Sequence, residues 1–208
     1  MSDNHKSLHR AAQLLDGAPV DQTAIHEAVT ALLLALGEDA QREGLQRTPE
    51  RVARMYVELT AGYRTDPVTL VNDALFSAPN DEMIVVRDIE FYSLCEHHLL
   101  PFVGRAQVAY LPGEQIIGLS KIPRIVEMYA RRLQVQERMT QQIADFLDEA
   151  LHPRGVAVMV EASHLCALMR GVKQHEAHMV TMTTRGAFRS NPAMRAEFLQ
   201  IVSRPATF

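Results

Sequence analysis

Apolar residues recur every three or four positions from Asp21 onward. Ile25, Val29, Leu32, Leu33 and Leu36 fall on one helical face, and Gly37 is placed to stop the helix. A second helix is predicted from Thr48-Pro49, an N-cap residue type followed by proline at the first helical position, where a missing N–H does no harm. Its buried face would carry Val52, Met55, Tyr56 and Leu59, and it would end near Ala61-Gly62. Residues 21–80 thus read as an amino-terminal helical region. Residues 1–20 are weakly patterned and expected to be partly disordered.

The period changes beyond Asp81. Met83 to Tyr92 is rich in β-branched residues, and Arg105 to Leu111 alternates Ala106, Val108 and Tyr110 with polar partners, so both read as strands. Pro112-Gly113 marks a turn. Helices are predicted over Ser120 to Arg132 and Gln136 to Leu151, the second burying Met139, Ile143, Phe146 and Leu147. Gly155 to Ala162 and Ala177 to Thr184 read as two further strands, and Asn191-Pro192 opens a terminal helix. The order helices, then β-β-α-α-β-β, defines an α+β plan with antiparallel hairpins and helices on one face. Residues 81–208 would form the main domain.

Composition narrows the function classes. A chain of 208 residues, 47% apolar and 22% charged, can bury a core without disulfide staples. A net charge of −4 argues against a general nucleic-acid binder. No apolar run approaches the roughly 20 residues of a membrane helix, and no secretion signal is visible. Two cysteines cannot make a disulfide framework, so a reducing cytoplasm is expected.

Both cysteines lie beside histidines at predicted strand ends: Cys95-Glu96-His97-His98 and His164-Leu165-Cys166. A C-x2-H spacing lets Cys95 and His98 reach one metal, because a single turn brings positions i and i+3 together. Cys166 would add a second sulfur. Two sulfurs and one nitrogen suit Zn²⁺ and leave a fourth position for water, whose pKa the metal lowers. If the chain stays extended past Ala162, His164 and Cys166 point the same way. His164 would then stand beside the metal without ligating it. The bland alternative is that isolated cysteines are commonly buried and inert. Against it stands the crowding, since His97 and His98 cannot both be core.

Ser120 marks a helix start, with Lys121 and Arg124 in its first turn. Helix N-termini attract phosphate, whereas cations there oppose the dipole, and a bound polyanion would reconcile the two. A solvated basic face is the plainer reading. Gln136-Glu137 opens the next helix. That amide and carboxylate could read a guanine edge, although a first-turn Glu is also ordinary helix chemistry. Arg170-Gly171 could equally be a turn. His175 and His178 would face opposite sides of a strand, which leaves them as surface or supporting groups.

Taken together, Ser93-Leu-Cys-Glu-His-His98, Gly118-Leu-Ser-Lys-Ile122, Gln134-Val-Gln-Glu-Arg138, Thr140-Gln-Gln142, and His164-Leu-Cys166 with Arg170-Gly171 resemble the GTP cyclohydrolase I family. Thr48-Pro-Glu-Arg51 and Met55-Tyr56 match as well, and the resemblance spans about residues 21 to 202. It implies a tunnel-fold α+β subunit in a toroidal homodecamer of two pentamers. It also implies hydrolysis of GTP at C8 with release of formate, then rearrangement and ring closure to 7,8-dihydroneopterin triphosphate, feeding pterin and folate synthesis.

By position, Cys95, His98 and Cys166 look like the zinc ligands, and His97 and His164 like acid–base groups. Glu137 with Gln136 matches the guanine anchor, and Ser120 the ribose and phosphate contact. Lys121, Arg124 and Arg170 match the triphosphate clamp. Arg51 and Arg54 fall near positions that add contacts from a neighbouring subunit. The His175 to Met179 segment departs from the family pattern. Two competing readings are a tunnel-fold relative acting on another purine or pterin, and a binding module with a structural zinc. The first is disfavoured by Glu137 with Lys121, Arg124 and Arg170. The second is disfavoured by a ligand set of three rather than four.

Overall fold

The computed structural model of the chain describes residues 19–71, 74–78 and 82–204. Most of the predicted disordered segment therefore lies outside the described residues. The first helix, α1 (Gln22–Ala35), begins where Asp21 caps it, its carboxylate accepting from the Ala24 N–H at 2.9 Å. α2 (Thr48–Leu59) starts one residue earlier than the cap chemistry suggests: Thr48 is already helical and Arg47 holds the cap position. A 3-10 turn (Ala61–Arg64) and the short α3 (Pro67–Val71) follow.

The predicted apolar faces of these helices are only thinly covered. No residue of α1 is buried, and α2 buries Pro49 and Ala53 rather than the expected stripe. Val52, Tyr56 and Leu59 are half-buried, and Met55 is exposed. The periodicity was correct for helix but not for burial within the subunit, because α1 packs mainly against α2.

Five strands form the main sheet, in the order β5-β2-β3-β6-β7. β2 (Ile84–Cys95) and β3 (Pro101–Leu111) make an antiparallel hairpin, and both extend further than the β-branched runs predicted. β6 (Gly155–His164) pairs antiparallel with β3, and β7 (Met179–Gly186) with β6. β5 (Leu133–Gln134) adds a two-residue parallel pairing to the end of β2. A separate two-stranded ribbon joins β1 (Leu75–Ser77) to β4 (Gln115–Ile117).

Between β4 and β6 run α4 (Lys121–Ala130) and α5 (Gln136–Leu151). Their apolar stripes, Ile122, Ile125, Val126 and Tyr129 with Met139, Ile143, Phe146 and Leu147, pack on Val108, Tyr110, Val156 and Val158 of the sheet. Arg132 closes the corner between the helices, buried against the Tyr63 and Tyr129 rings and donating to the carbonyls of Met128 and Gly62. α6 (Leu165–Leu168), α7 (Ala187–Ser190) and α8 (Pro192–Val202) complete the described chain.

The expectation of helices on one face needs correction. Phe188 of α7 and Phe198 of α8 pack with Ala109, Leu111 and Ala157, which alternate with the main-core residues and so belong to the opposite face. The terminal helices cover one end of that second face.

Candidate metal centre and surrounding site

Sheet register assembles the cysteine–histidine group. Ser93 pairs with Phe102 and Phe102 with His164, so the ends of β2 and β6 arrive side by side across the start of β3. Cys95 ends β2, and the chain then curls tightly. The N–H groups of His98 and Leu99 both donate to the Cys95 carbonyl, at 3.3 and 2.8 Å, with Leu99 in the left-handed region. That turn returns His98 to its cysteine. Cys166 arrives differently from expectation: the strand stops at His164, and Cys166 sits in the single helical turn of α6.

The ligand atoms of Cys95, His98 and Cys166 lie within 4.8 Å of one another. Their two sulfurs are 3.9 Å apart. Two thiolates on a tetrahedral zinc with bonds of about 2.3 Å would stand about 3.8 Å apart, so the donor set fits that ion. Cys95 is buried, Cys166 half-buried and His98 exposed, which leaves one side of the group open. Burial and the adjacent Cys95 sulfur push the Cys166 thiol above its ordinary pKa.

Two further histidines flank the group. His97 is exposed, its Nδ1 3.9 Å from the Cys95 sulfur and its ring edge-on to that of His98. His164 stacks on Phe102 with rings 4.6 Å apart and parallel within 2°. Its Nε2 lies 2.8 Å from Oε1 of Gln136. Burial lowers the His164 pKa, and the Glu137 carboxylate offsets part of that. Arg170, just past α6, donates from Nη1 to His98 Nε2 at 2.8 Å. A lone pair engaged in that way is not free for a metal, so binding through Nε2 requires the guanidinium to move.

The expected base-reading pair splits. Glu137 is exposed on the first turn of α5, whereas Gln136 is buried, its amide nitrogen held by Val160 O, Met179 O and Thr181 Oγ. Ser120, Lys121 and Arg124 sit at the start of α4, Ser120 making no capping hydrogen bond. Arg124 lines a cleft of about 620 Å³ with Glu58, Asp66, Glu127 and Arg131. Among the described residues, no hydrogen bond or ion pair links these three to the cysteine–histidine group. His175 lies in an exposed turn before β7, and His178 bonds through Nδ1 to Ser163 Oγ at 3.0 Å. Neither joins the metal-ligand group.

One polar contact had no signal in the sequence. Arg138, one turn into α5, forms an ion pair with Glu96 inside the Cys95–His98 turn and also donates to Gln134 Oε1 and Leu133 O. The Arg138 hydrogen bond holds the Glu96 carboxyl below its usual pKa. Glu96 N–H donates to the Gln134 carbonyl at 3.0 Å, so the ligand-bearing turn is tied to β5 and α5 at two points.

The chain is α+β and carries an open Cys–His–Cys group that could hold a metal ion, flanked by two histidines and an arginine. A model of the GTP cyclohydrolase I family matches residues 25–203. The "GTP cyclohydrolase 1" of Synechococcus sp. (strain JA-2-3B'a(2-13)) is 50% identical over 198 residues, covering 95% of this chain and 86% of that protein. Those of Gloeobacter violaceus and Deinococcus radiodurans are 53% identical over 182 residues and 55% over 170, covering 88% and 82% of this chain and 85% and 79% of theirs. The chain belongs to the GTP cyclohydrolase I family and is an enzyme.

Proposed function

We propose that the chain is a zinc-dependent GTP cyclohydrolase I. It would open the guanine imidazole ring of GTP at C8, release formate, and form 7,8-dihydroneopterin triphosphate, the first step of tetrahydrofolate and pterin synthesis. The observation that carries this reading is the convergence of Cys95, His98 and Cys166, with His97 and His164 alongside, in a member of this family.

Cys95, His98 and Cys166 would hold the zinc, which when bound would act as a Lewis acid and make a water nucleophilic near neutral pH. The other roles belong to side chains. An imidazole ring nitrogen can give or take a proton, so His97 and His164 can exchange protons with the purine ring nitrogens as the C8 bond opens. The exposed Glu137 carboxylate can accept from the N1–H and the 2-amino group of guanine, an arrangement adenine cannot satisfy. Lys121, Arg124 and Arg170 neutralise the triphosphate, with Ser120 contributing its hydroxyl. Binding energy from that remote end then orients C8 for attack.

The site would be completed across subunits, as the family resemblance implies. The subunit would adopt the tunnel fold and assemble as a homodecamer of two pentamers, with Arg51 and Arg54 adding basic contacts from a neighbour. Both cysteines are free thiols, as a metal site requires, which fits a cytoplasmic setting. No helix among the described residues is long and apolar enough to cross a membrane.

The test is incubation of metal-analysed protein with GTP, following formate and the ultraviolet spectrum of the product. Stoichiometric formate with a dihydropterin spectrum is expected. Assembled, zinc-loaded protein that yields no formate would sink the reading.

A further inference from the structure

We propose that Gln136 is a positioning residue for His164: its side-chain carbonyl holds the Nε2–H of that imidazole, leaving Nδ1 as the nitrogen that exchanges a proton with substrate. The inference rests on the functional reading above and gives Gln136 a part other than the guanine contact that the family resemblance implies.

The orientation of the Gln136 amide follows from its surroundings. Its nitrogen lies 3.0 Å from Val160 O, 2.9 Å from Met179 O and 3.2 Å from Thr181 Oγ. Two of these partners are backbone carbonyls, which only accept, so the facing atom must be the NH₂. Exchanging oxygen and nitrogen would set an amide oxygen against two carbonyl oxygens in a site only 1% exposed.

The two hydroxyls agree. Thr140 Oγ donates to the Gln136 backbone carbonyl at 2.7 Å, so in its 2.7 Å contact with Thr181 Oγ it must accept. Thr181 Oγ therefore gives its hydrogen to Thr140 and can accept from the Gln136 amide. The donors run in one sense around a closed ring, from the Gln136 side chain through Thr181 and Thr140 to the Gln136 main chain.

With the nitrogen so placed, Oε1 is the atom facing His164 Nε2, at 2.8 Å. An amide oxygen cannot donate, so Nε2 must carry the hydrogen, and the neutral ring has its lone pair on Nδ1. Phe102 fixes the plane of the ring by stacking, and Gln136 fixes its rotation within that plane. Among the described residues, Nδ1 has no hydrogen-bond partner. The same hydrogen bonds engage the Gln136 amide within the subunit, so reading the guanine edge falls to the adjacent, exposed Glu137.

Positioned acid–base groups contribute ~100- to 10,000-fold to a rate. Gln136→Leu keeps an apolar body at the helix start but leaves the His164 ring free to rotate and to place its hydrogen on either nitrogen. The expected result in zinc-loaded enzyme is a fall in kcat of roughly 10- to 100-fold with KM for GTP within about twofold, a partial loss of that contribution. A direct guanine contact predicts the reverse: KM up roughly tenfold or more with kcat largely kept, and that result would overturn the proposal.

A second measurement does not depend on how the variant folds. A nitrogen-15 solid-state spectrum of histidine-labelled, zinc-loaded wild type, with the His164 signal assigned by its loss in His164→Asn, should show the Nε2–H tautomer. A Nδ1–H tautomer there would also refute the proposal. The spectrum needs no turnover, so failure of the proposal is distinguishable from failure of the GTP reading, which would appear as wild-type enzyme producing no formate.

Discussion

The Cys166 sulfur sits where burial and a neighbouring sulfur 3.9 Å away both favour its protonated form. A thiol must lose its proton to ligate zinc, so metal uptake is expected to release protons. Because the Cys166 pKa lies above its ordinary value, protons compete with the metal more strongly as pH falls. Apparent zinc affinity, measured against a chromophoric chelator at several pH values, should drop steadily on acidification; a flat profile would contradict two-thiolate ligation. Cys166→Ala should abolish tight zinc binding yet keep the far-ultraviolet circular dichroism of the wild type, because the residue is a half-buried member of a four-residue helix rather than part of the sheet. Unfolding of that variant would instead support a structural zinc. The C-x2-H spacing of Cys95 and His98 was legible because one turn suffices to join them. The surroundings of Gln136 were not, since its carbonyl partners lie 24 and 43 residues away on two strands.

Elements with strong internal periodicity emerged with sound boundaries, α5 above all. Elements defined by their partners did not. β5 is two residues long and exists only through its pairing with Leu94 and Cys95, while α6 breaks a run that reads as extended. Close strand contact was equally invisible. A Cβ added to Gly104 would stand 2.0 Å from the Glu161 carbonyl oxygen and 2.7 Å from Ala162, so the β3–β6 pairing next to the site requires glycine there. Gly104→Ala should cost roughly 1–3 kcal/mol through forced backbone separation, read as a lowered midpoint in urea. An unchanged midpoint would show that the strands part freely.

α5 also carries a carboxylate against its interest. Burial raises the Asp148 pKa, with Arg185 only partly offsetting it. A carboxyl that binds its proton more tightly folded than unfolded favours the folded state at low pH, and that advantage disappears as pH rises through the folded-state pKa. Asp148→Asn should therefore raise the melting temperature more at pH 7 than at pH 4. Equal shifts at both would remove desolvation as the cause.

At the scale of the molecule, the amino-terminal helices are the part left unfinished. Leu32 of α1 and Leu36 at its C-cap, which share the apolar face, are 56 and 70% exposed, although the helix is amphipathic in sequence. Covering one such side chain is worth about 1.5–3 kcal/mol, so a partner surface for this face would be strongly stabilised. A second copy of the chain is the partner that the proposed homodecamer would supply. The periodicity made the face legible, but it could not show that the subunit alone leaves that face uncovered. The double substitution Leu32→Glu with Leu36→Glu should leave each subunit folded, because no residue of α1 is buried, while light scattering shows a smaller particle. The metal-ligand group lies within one subunit, so zinc content should stay near the wild-type level in that smaller particle. Turnover should not survive if Lys121 and Arg124 reach the metal centre only across a subunit boundary. A small, zinc-loaded particle that still released formate at the wild-type rate would mean that one subunit holds the whole site. In that case Arg170, already in contact with His98, would be the cation that places the triphosphate.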